Sequence, residues 1–319
     1  MASRRAAFVA ILLTSWAVSP DSALAQGSAG AMSQITAEPG IDIDPVVTLD
    51  GRSVVYASSR SGLLELWMRP LDGGAVSQLT TSVNNSVDRN PSLLPDGSGV
   101  LFQSDRVGGV RNIWLLGLNT RALTEITNVT DGASNPAVSP DGGTVCFTRN
   151  YADGRLAIWM VRIDGTSPRE VTVGFDCAWL PTGDRVVFAR AEAAGSSTQR
   201  GGIWIADADG RNAREIVGGV DLYVRSPAVA PDGRVVVYTR YAQPFSSDIA
   251  EVPGGFMIRE GILSGIWMAT IGEEQTAPRQ LIDATAFNSF AAFGPDGRRL
   301  LFTSTRSGSA DLWGVSVQR

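Results

Sequence analysis

The chain contains no histidine and no lysine, and only two of its 319 residues are cysteines. A Ser-His-Asp triad, an imidazole metal site and an amine nucleophile each need one of the two missing residue types. No G-x-S-x-G motif and no glycine-rich phosphate loop occurs either. Carboxylate chemistry is the only common catalytic route that remains, so we expect a protein that is not an enzyme.

Arginine supplies every basic charge, and 27 arginines face 32 acidic residues, for a formal net charge of −5. A negative surface does not suit phosphate backbones or anionic membranes. We therefore expect neither a nucleic-acid partner nor insertion into a membrane.

The first 25 residues have the composition of a secretory signal, with Arg4 and Arg5, an apolar stretch over 6–18 and the small residues Ala23 and Ala25. The apolar stretch is too short to span a membrane. We expect a periplasmic or secreted product, with residues 26–33, which are rich in Gly, Ala and Ser, forming a mobile tail.

One short pattern repeats six times between Asp44 and Trp313: an apolar run, a turn of Pro-Asp-Gly type, an apolar strand and an Ile-Trp or Leu-Trp pair. The turn glycines are Gly51, Gly97, Gly142, Gly183, Gly233 and Gly297, and the tryptophans are Trp67, Trp114, Trp159, Trp204, Trp267 and Trp313. This period suits one four-stranded blade per repeat. The sequence predicts an all-β fold, a six-bladed β-propeller over residues 34–319.

The last repeat ends after its tryptophan strand, so the sixth blade lacks an outermost strand at that end of the chain. Gln34-Ile35-Thr36 has the pattern of the outer strand Gln78-Leu79-Thr80 and precedes the first blade. We predict that this N-terminal strand completes the sixth blade and closes the ring.

The two cysteines, Cys146 and Cys177, occupy apolar repeat positions in neighbouring blades. Two buried free thiols and a disulfide between the blades are both compatible with this placement.

The run Asn135 to Gly142, followed by Phe147-Thr148-Arg149 and Ile158-Trp159-Met160, resembles the WD-like repeat of the TolB propeller family. The resemblance covers roughly residues 34–317. TolB carries an additional N-terminal domain, and Asp44 follows the predicted cleavage site so closely that we expect a propeller without it. The repeats are also similar to those of prolyl oligopeptidase relatives and oligogalacturonate lyase, whose hydrolase domain and histidine-bound metal do not fit this chain.

Polar residues recur seven positions before the turn glycines, at the start of each innermost strand. They are Asp44, Asn90, Asn135, Asp176 and Ser226, with Phe290 in the sixth repeat. We expect them around one mouth of the central channel. They would cap strand entrances, the interpretation we favour, or they would bind Ca²⁺ or a polar ligand. No cofactor is expected, with Ca²⁺ as the alternative.

Six arginines follow the turn glycines at two spacings. Arg60, Arg106 and Arg306 lie nine residues after their glycines, and Arg149, Arg190 and Arg240 lie seven after theirs. We expect them on the face opposite the Pro-Asp-Gly turns, paired with acids of neighbouring blades. We call this face the irregular face and the other one the turn face.

The longest deviation from the repeat is the loop from Tyr241 to Ser264 in the fifth blade, which is predicted to lie on the irregular face. It is unusually apolar for a surface loop. The candidate partner-binding residues in it are Phe245, Phe256, Met257, Ile258 and Arg259.

These features favour an exported, monomeric, non-catalytic propeller that binds an envelope protein or peptide through its irregular face. One alternative is an enzyme acting on a saccharide or peptide, with Asp44 and Asp176 as acid and base. Another is a propeller that binds a small ligand or Ca²⁺.

Overall fold

The computed structural model describes residues 30–193, 199–244, 249–252, 255–273 and 276–318. These residues form six four-stranded antiparallel sheets and one two-stranded hairpin, which confirms the all-β, six-bladed propeller. No helix in these ranges has the length and apolar character that a membrane crossing requires. The predicted secretory signal lies outside the described residues.

The first three blades follow the repeat without interruption, each built from four consecutive strands. Blade 1 contains β2 (Asp42–Val47), β3 (Ser53–Ser58), β4 (Glu65–Pro70) and β5 (Ser77–Gln78). Blade 2 contains β6 (Asp88–Leu93), β7 (Gly99–Ser104), β8 (Asn112–Gly117) and β9 (Leu123–Glu125). Blade 3 contains β10 (Ala133–Val138), β11 (Thr144–Asn150), β12 (Leu156–Arg162) and β13 (Arg169–Val173).

The last three blades include the two departures from the repeat, a hairpin inserted in blade 5 and an N-terminal strand in blade 6. Blade 4 contains β14 (Phe175–Trp179), β15 (Arg185–Ala193), β16 (Gln199–Asp207) and β17 (Arg214–Val220). Blade 5 contains β18 (Tyr223–Val229), β19 (Val235–Tyr241), β22 (Ser264–Thr270) and β23 (Arg279–Ile282) around the hairpin β20 (Ile249–Val252) and β21 (Gly255–Ile258). Blade 6 contains β24 (Asn288–Phe293), β25 (Arg299–Ser304), β26 (Asp311–Ser316) and β1 (Ser33–Gln34).

The second strand of each blade is the centre of its core. Its aromatic residue, five positions after the turn glycine, has at most 1% of its surface exposed in every blade: Tyr56, Phe102, Phe147, Phe188, Tyr238 and Phe302. Because neighbouring blades cover both faces of this strand, the apolar residues on each side of the aromatic are buried as well.

Strand β1 pairs antiparallel with β26 and so closes the ring, as predicted. The Ile35 amide donates to the Leu312 carbonyl over 2.7 Å, and the Leu312 amide donates to Thr36 Oγ1 over 2.9 Å. The predicted mobile tail extends too far, however. Ser33 already belongs to β1, and the Gly30 amide donates to the Ser316 carbonyl over 3.1 Å.

Cys146 and Cys177 form a disulfide between blades 3 and 4, with Cα atoms 6.4 Å apart. This resolves the two alternatives that the sequence left open. The bridge lies in an apolar cluster with Ile158, Met160 and Phe188, because both cysteines occupy core positions of their strands.

Candidate binding site

A β-bulge interrupts the innermost strand of every blade at the channel position that the sequence marked. The register of each inner strand shifts there, for example between Ile43 and Val46 and between Arg89 and Ser92. The bulged residues are in the left-handed region, with φ between 51 and 55° for Asp44, Asn90, Asn135, Asp176, Ser226 and Phe290. Among residues other than glycine, Asn and Asp tolerate this conformation best, which explains their recurrence. Phe290 adopts the same φ at a higher conformational cost.

The six bulges surround one opening on the irregular face, which we call the channel mouth. It encloses about 160 Å³ and is lined by these six residues together with the prolines that follow four of them. The structure therefore brings together all five polar candidates and Phe290. Whether they bind a ligand remains a prediction.

Asp44 is held by the next blade. Arg89 donates to both carboxylate oxygens, from Nε to Oδ2 over 2.8 Å and from Nη2 to Oδ1 over 3.1 Å, and the Asn90 amide donates to Oδ2 over 3.1 Å. The Asp44 side chain is 3% exposed. A bidentate guanidinium contact of this kind fixes both partners.

The same arrangement recurs at Asp176. Arg225 donates to its two oxygens over 3.1 and 3.4 Å, and the Ser226 amide donates to Oδ2 over 3.0 Å. Asn135 Nδ2 donates to Oδ1 of the same carboxylate. A general base needs a carboxylate that is free to accept a proton from a substrate. Asp44 is paired with Arg89 and Asp176 with Arg225, and this disfavours the acid and base roles that the sequence allowed for the two carboxylates.

The part of the chain that the structure describes contains no cluster of acidic side chains that would support the calcium alternative. Within those ranges no three His, Cys, Asp or Glu side chains are grouped as metal ligands. Calcium binding stays a prediction from the sequence alone.

A second, wider cavity of about 280 Å³ opens onto the channel mouth and shares Asn90, Asn135, Ser226 and Phe290 with it. We call it the arginine basin. Its other lining residues are Arg89, Gln103, Arg111, Ser134, Asn150, Leu156 and Arg225. The sequence analysis missed these residues. Arg89 and Arg225 could have been predicted from the sequence, because each directly precedes one of the channel positions.

The six arginines of the irregular face stack on the tryptophans of their own blades. The guanidinium carbon lies 4.7 to 5.5 Å from the indole centroid in all six pairs: Arg60–Trp67, Arg106–Trp114, Arg149–Trp159, Arg190–Trp204, Arg240–Trp267 and Arg306–Trp313. Stacking over an indole is the strongest of the cation–π contacts. Both sequence spacings therefore bring the guanidinium group to the same position over the tryptophan of its own blade.

Four of these arginines, including Arg190 with Glu192, also pair with an acid of their own blade, whereas we expected pairs between neighbouring blades. Arg60 contacts Asp42, Arg106 contacts Asp88 and Arg149 contacts Asp131. In each of these three pairs the acid lies eighteen residues before the arginine, at the first position of the innermost strand or, for Asp131, two residues before that strand. Burial raises the pKa of the Asp42 and Asp88 carboxyls above the ordinary range, and burial lowers the pKa of Arg306.

The long loop of blade 5 joins the second and third strands, as predicted, and contains the hairpin β20–β21. Phe245 lies outside the described residues, and Phe256 and Met257 belong to β21. Ile258 is only 7% exposed and packs with Tyr241 and Phe287, whereas Arg259 is exposed. Ile258 therefore anchors the loop to the core, which differs from its expected role as a partner contact.

The comparisons with known proteins agree with this architecture. No protein-family model matches the chain. A stretch of 76 residues is 33% identical to a protein of Chlorobium luteolum described as a TolB homolog, and the match covers 24% of this chain and 17% of that relative.

Two solved structures illustrate how widely the fold is shared. A structure described as TolB of Agrobacterium tumefaciens is similar over 92% of this chain and 100% of its own, with a TM-score of 0.64 and 16% identity. Oligogalacturonate lyase of Vibrio parahaemolyticus is similar over 91% and 94%, with a TM-score of 0.56 and 12% identity. At such identities the likeness concerns the fold alone.

Fold and site together define a six-bladed propeller with a polar channel mouth and an arginine-lined basin on its irregular face. The architecture is similar to that of a TolB structure, and the local sequence match is to a protein described as a TolB homolog.

Proposed function

We propose that this protein is an exported, non-catalytic propeller that binds an envelope protein or peptide through its irregular face. The observation that carries the proposal is the open channel mouth, continuous with the arginine basin, on the face where the blade-5 loop also lies. The TolB-like repeats and the signal-like first 25 residues support the proposal that the partner is an envelope protein or peptide.

The chemistry of the mouth supports binding over catalysis. Both of its carboxylates are paired with arginine, and the other four bulged residues contribute two amides, a hydroxyl and an aromatic ring. Amide and hydroxyl groups beside an aromatic surface suit the backbone and side chains of a peptide.

The blade-5 loop gives a test of the proposal, provided that its anchor is kept. Replacing residues 245–257 by a short Gly-Ser linker retains Ile258 and Ile262, which are both buried. We expect a folded protein that captures less partner from an envelope extract, because loops that are presented by a rigid scaffold commonly carry binding contacts. Capture is measured by quantitative mass spectrometry, and folding by thermal melting.

The control is the same type of replacement on the turn face, at residues 72–75 between β4 and β5, where capture should be unchanged. Replacing all of 243–263 should instead destabilise the protein, because it removes both isoleucines and the hydrogen bond from the Ala242 amide to the Leu263 carbonyl. Full capture by the folded 245–257 variant would exclude the loop from the binding surface.

A further inference from the structure

The channel mouth and the arginine basin carry more positive than negative charge, although the protein as a whole is acidic. Their lining includes three guanidinium groups, those of Arg89, Arg111 and Arg225, and two carboxylates, those of Asp44 and Asp176. The chain has 27 basic and 32 acidic residues. A local excess of one positive charge within a negative protein favours an anionic group at this opening.

Two of the three arginines form the rigid floor of the basin. Arg89 is clamped on Asp44 and lies 5.4 Å from the Phe290 ring centroid, and Arg225 is clamped on Asp176 and lies 5.3 Å from that of Phe175. Stacking on one side and a carboxylate on the other leave these guanidinium groups little freedom. They contribute a fixed electrostatic field rather than a mobile contact.

Arg111 differs from these two. Its side chain is exposed, and among the residues that the structure describes no carboxylate lies within ion-pair distance of it. Its backbone is fixed, because the Arg111 carbonyl accepts a hydrogen bond of 2.7 Å from the Ala133 amide just before β8 begins. Arg111 is thus an exposed cation on a fixed stretch of backbone, and no described acid forms an ion pair with it.

The amides beside Arg111 are already engaged. Gln103 Oε1 accepts from the Asn135 amide over 3.1 Å, and Asn150 Nδ2 donates to Ser134 Oγ over 3.0 Å. The basin therefore offers one uncompensated charge, framed by neutral polar groups and the apolar surface of Leu156. Such a frame recognises a single anionic group better than a row of them.

We propose that Arg111 binds one carboxylate of a peptide that enters the arginine basin, the side chain of an Asp or Glu residue or the C-terminal carboxylate. This inference rests on the proposed function and names the ligand chemistry at the same site. The net charge of −5 opposes the approach of a polyanion, so the ligand carries one or two carboxylates on an otherwise neutral segment. An arginine whose guanidinium group forms no described ion pair is well suited to a carboxylate, because it can donate two parallel hydrogen bonds to it.

The test is selection from a library of short random peptides on the immobilised protein, followed by affinity measurement with one selected synthetic peptide. Selected peptides should be enriched in Asp or Glu at one position, or should require a free C-terminus. Arg111→Gln should lower the affinity for the peptide by about tenfold, through the loss of a charge-assisted hydrogen bond. Arg211→Gln is the matched control, because Arg211 is 83% exposed on the turn face. This variant should bind the peptide with unchanged affinity.

Neutralising the carboxylate on the peptide completes a double-mutant cycle. The neutral peptide should bind the unaltered protein about tenfold more weakly, and Arg111→Gln should then add little further loss. Peptides without acidic enrichment, or additive losses in the cycle, would overturn the role of Arg111 while peptide binding itself stood. Selection of no peptide at all would count against the proposed function as well.

Free citrate tests whether the ligand of Arg111 is a small free carboxylate and not a peptide. Citrate alone should stabilise the protein against heat less than the selected peptide does, because it lacks the contacts of the peptide backbone. Equal stabilisation by citrate that Arg111→Gln abolishes would identify a free carboxylate as the ligand and would overturn the peptide assignment.

Discussion

Trp114→Ala is expected to lower the free energy of unfolding by about 3–5 kcal/mol, the cost of emptying a large aromatic site in a packed interface. Trp114 pairs with Phe102 in the adjacent strand and packs against the largest apolar cluster. The guanidinium of Arg106 stacks on its ring at 5.5 Å and also pairs with the fully buried Asp88. Removing the indole therefore opens a hole and loosens a buried ion pair together. Urea unfolding followed by fluorescence of the remaining tryptophans measures the loss.

Trp114→Phe is the control, because it keeps an aromatic ring beneath Arg106 and should cost clearly less than the alanine substitution. A Trp114→Ala protein that melts normally but no longer captures a partner would show that this tryptophan belongs to a binding surface and not to the core.

Removal of the ring-closing strand is the second large effect. A truncation that begins the chain after Glu38 should cost at least about 4 kcal/mol, at about 1 kcal/mol for each of four of the hydrogen bonds that it removes. These join Gly30 N to Ser316 O, Gln34 Nε2 to Asp311 Oδ2, Ile35 N to Leu312 O and Leu312 N to Thr36 Oγ1. The freed edge of β26 should also promote aggregation.

The matched truncation begins the chain at Gly30 and keeps all four bonds. It should melt at the temperature of the protein that begins at residue 26. Equal stability of the two truncated proteins would contradict closure of the ring by β1, and the comparison needs only calorimetry and light scattering.

The sequence predicts the fold so completely because its strongest signals are local. A turn glycine such as Gly142 and a strand aromatic such as Phe147 each report the conformation of a few neighbouring residues, and six copies place the blades. The channel positions follow from the same register. Asp44 and Asn90 could be predicted at one mouth because their place in the repeat fixes their place in the ring.

The contacts that the sequence did not predict depend on side-chain reach and on distances across the ring. Arg60 and Arg149 differ by two positions in the repeat, yet both stack on their tryptophans because the arginine side chain is long and flexible. Arg111 and Arg225 come from blades 2 and 5 and share the basin only through the closed ring. Ile258 belongs to an apolar run whose pattern does not say which residue faces the core.

If the irregular face binds a protein or peptide at the channel mouth, a bulky side chain placed in the mouth should abolish that binding. Asn90→Phe places a bulky ring in the cavity of about 160 Å³, in the left-handed conformation that Phe290 adopts in blade 6 at some conformational cost. Asn212→Phe is the matched control, because Asn212 is also left-handed, with φ of 52°, and lies on the turn face between β16 and β17.

Partner capture from an envelope extract by these two variants and the unaltered protein is the decisive measurement, with thermal melting to confirm that all three fold. The account predicts that the unaltered protein and Asn212→Phe capture the same partner and that Asn90→Phe loses it. Equal capture by a folded Asn90→Phe protein would contradict binding at the channel mouth.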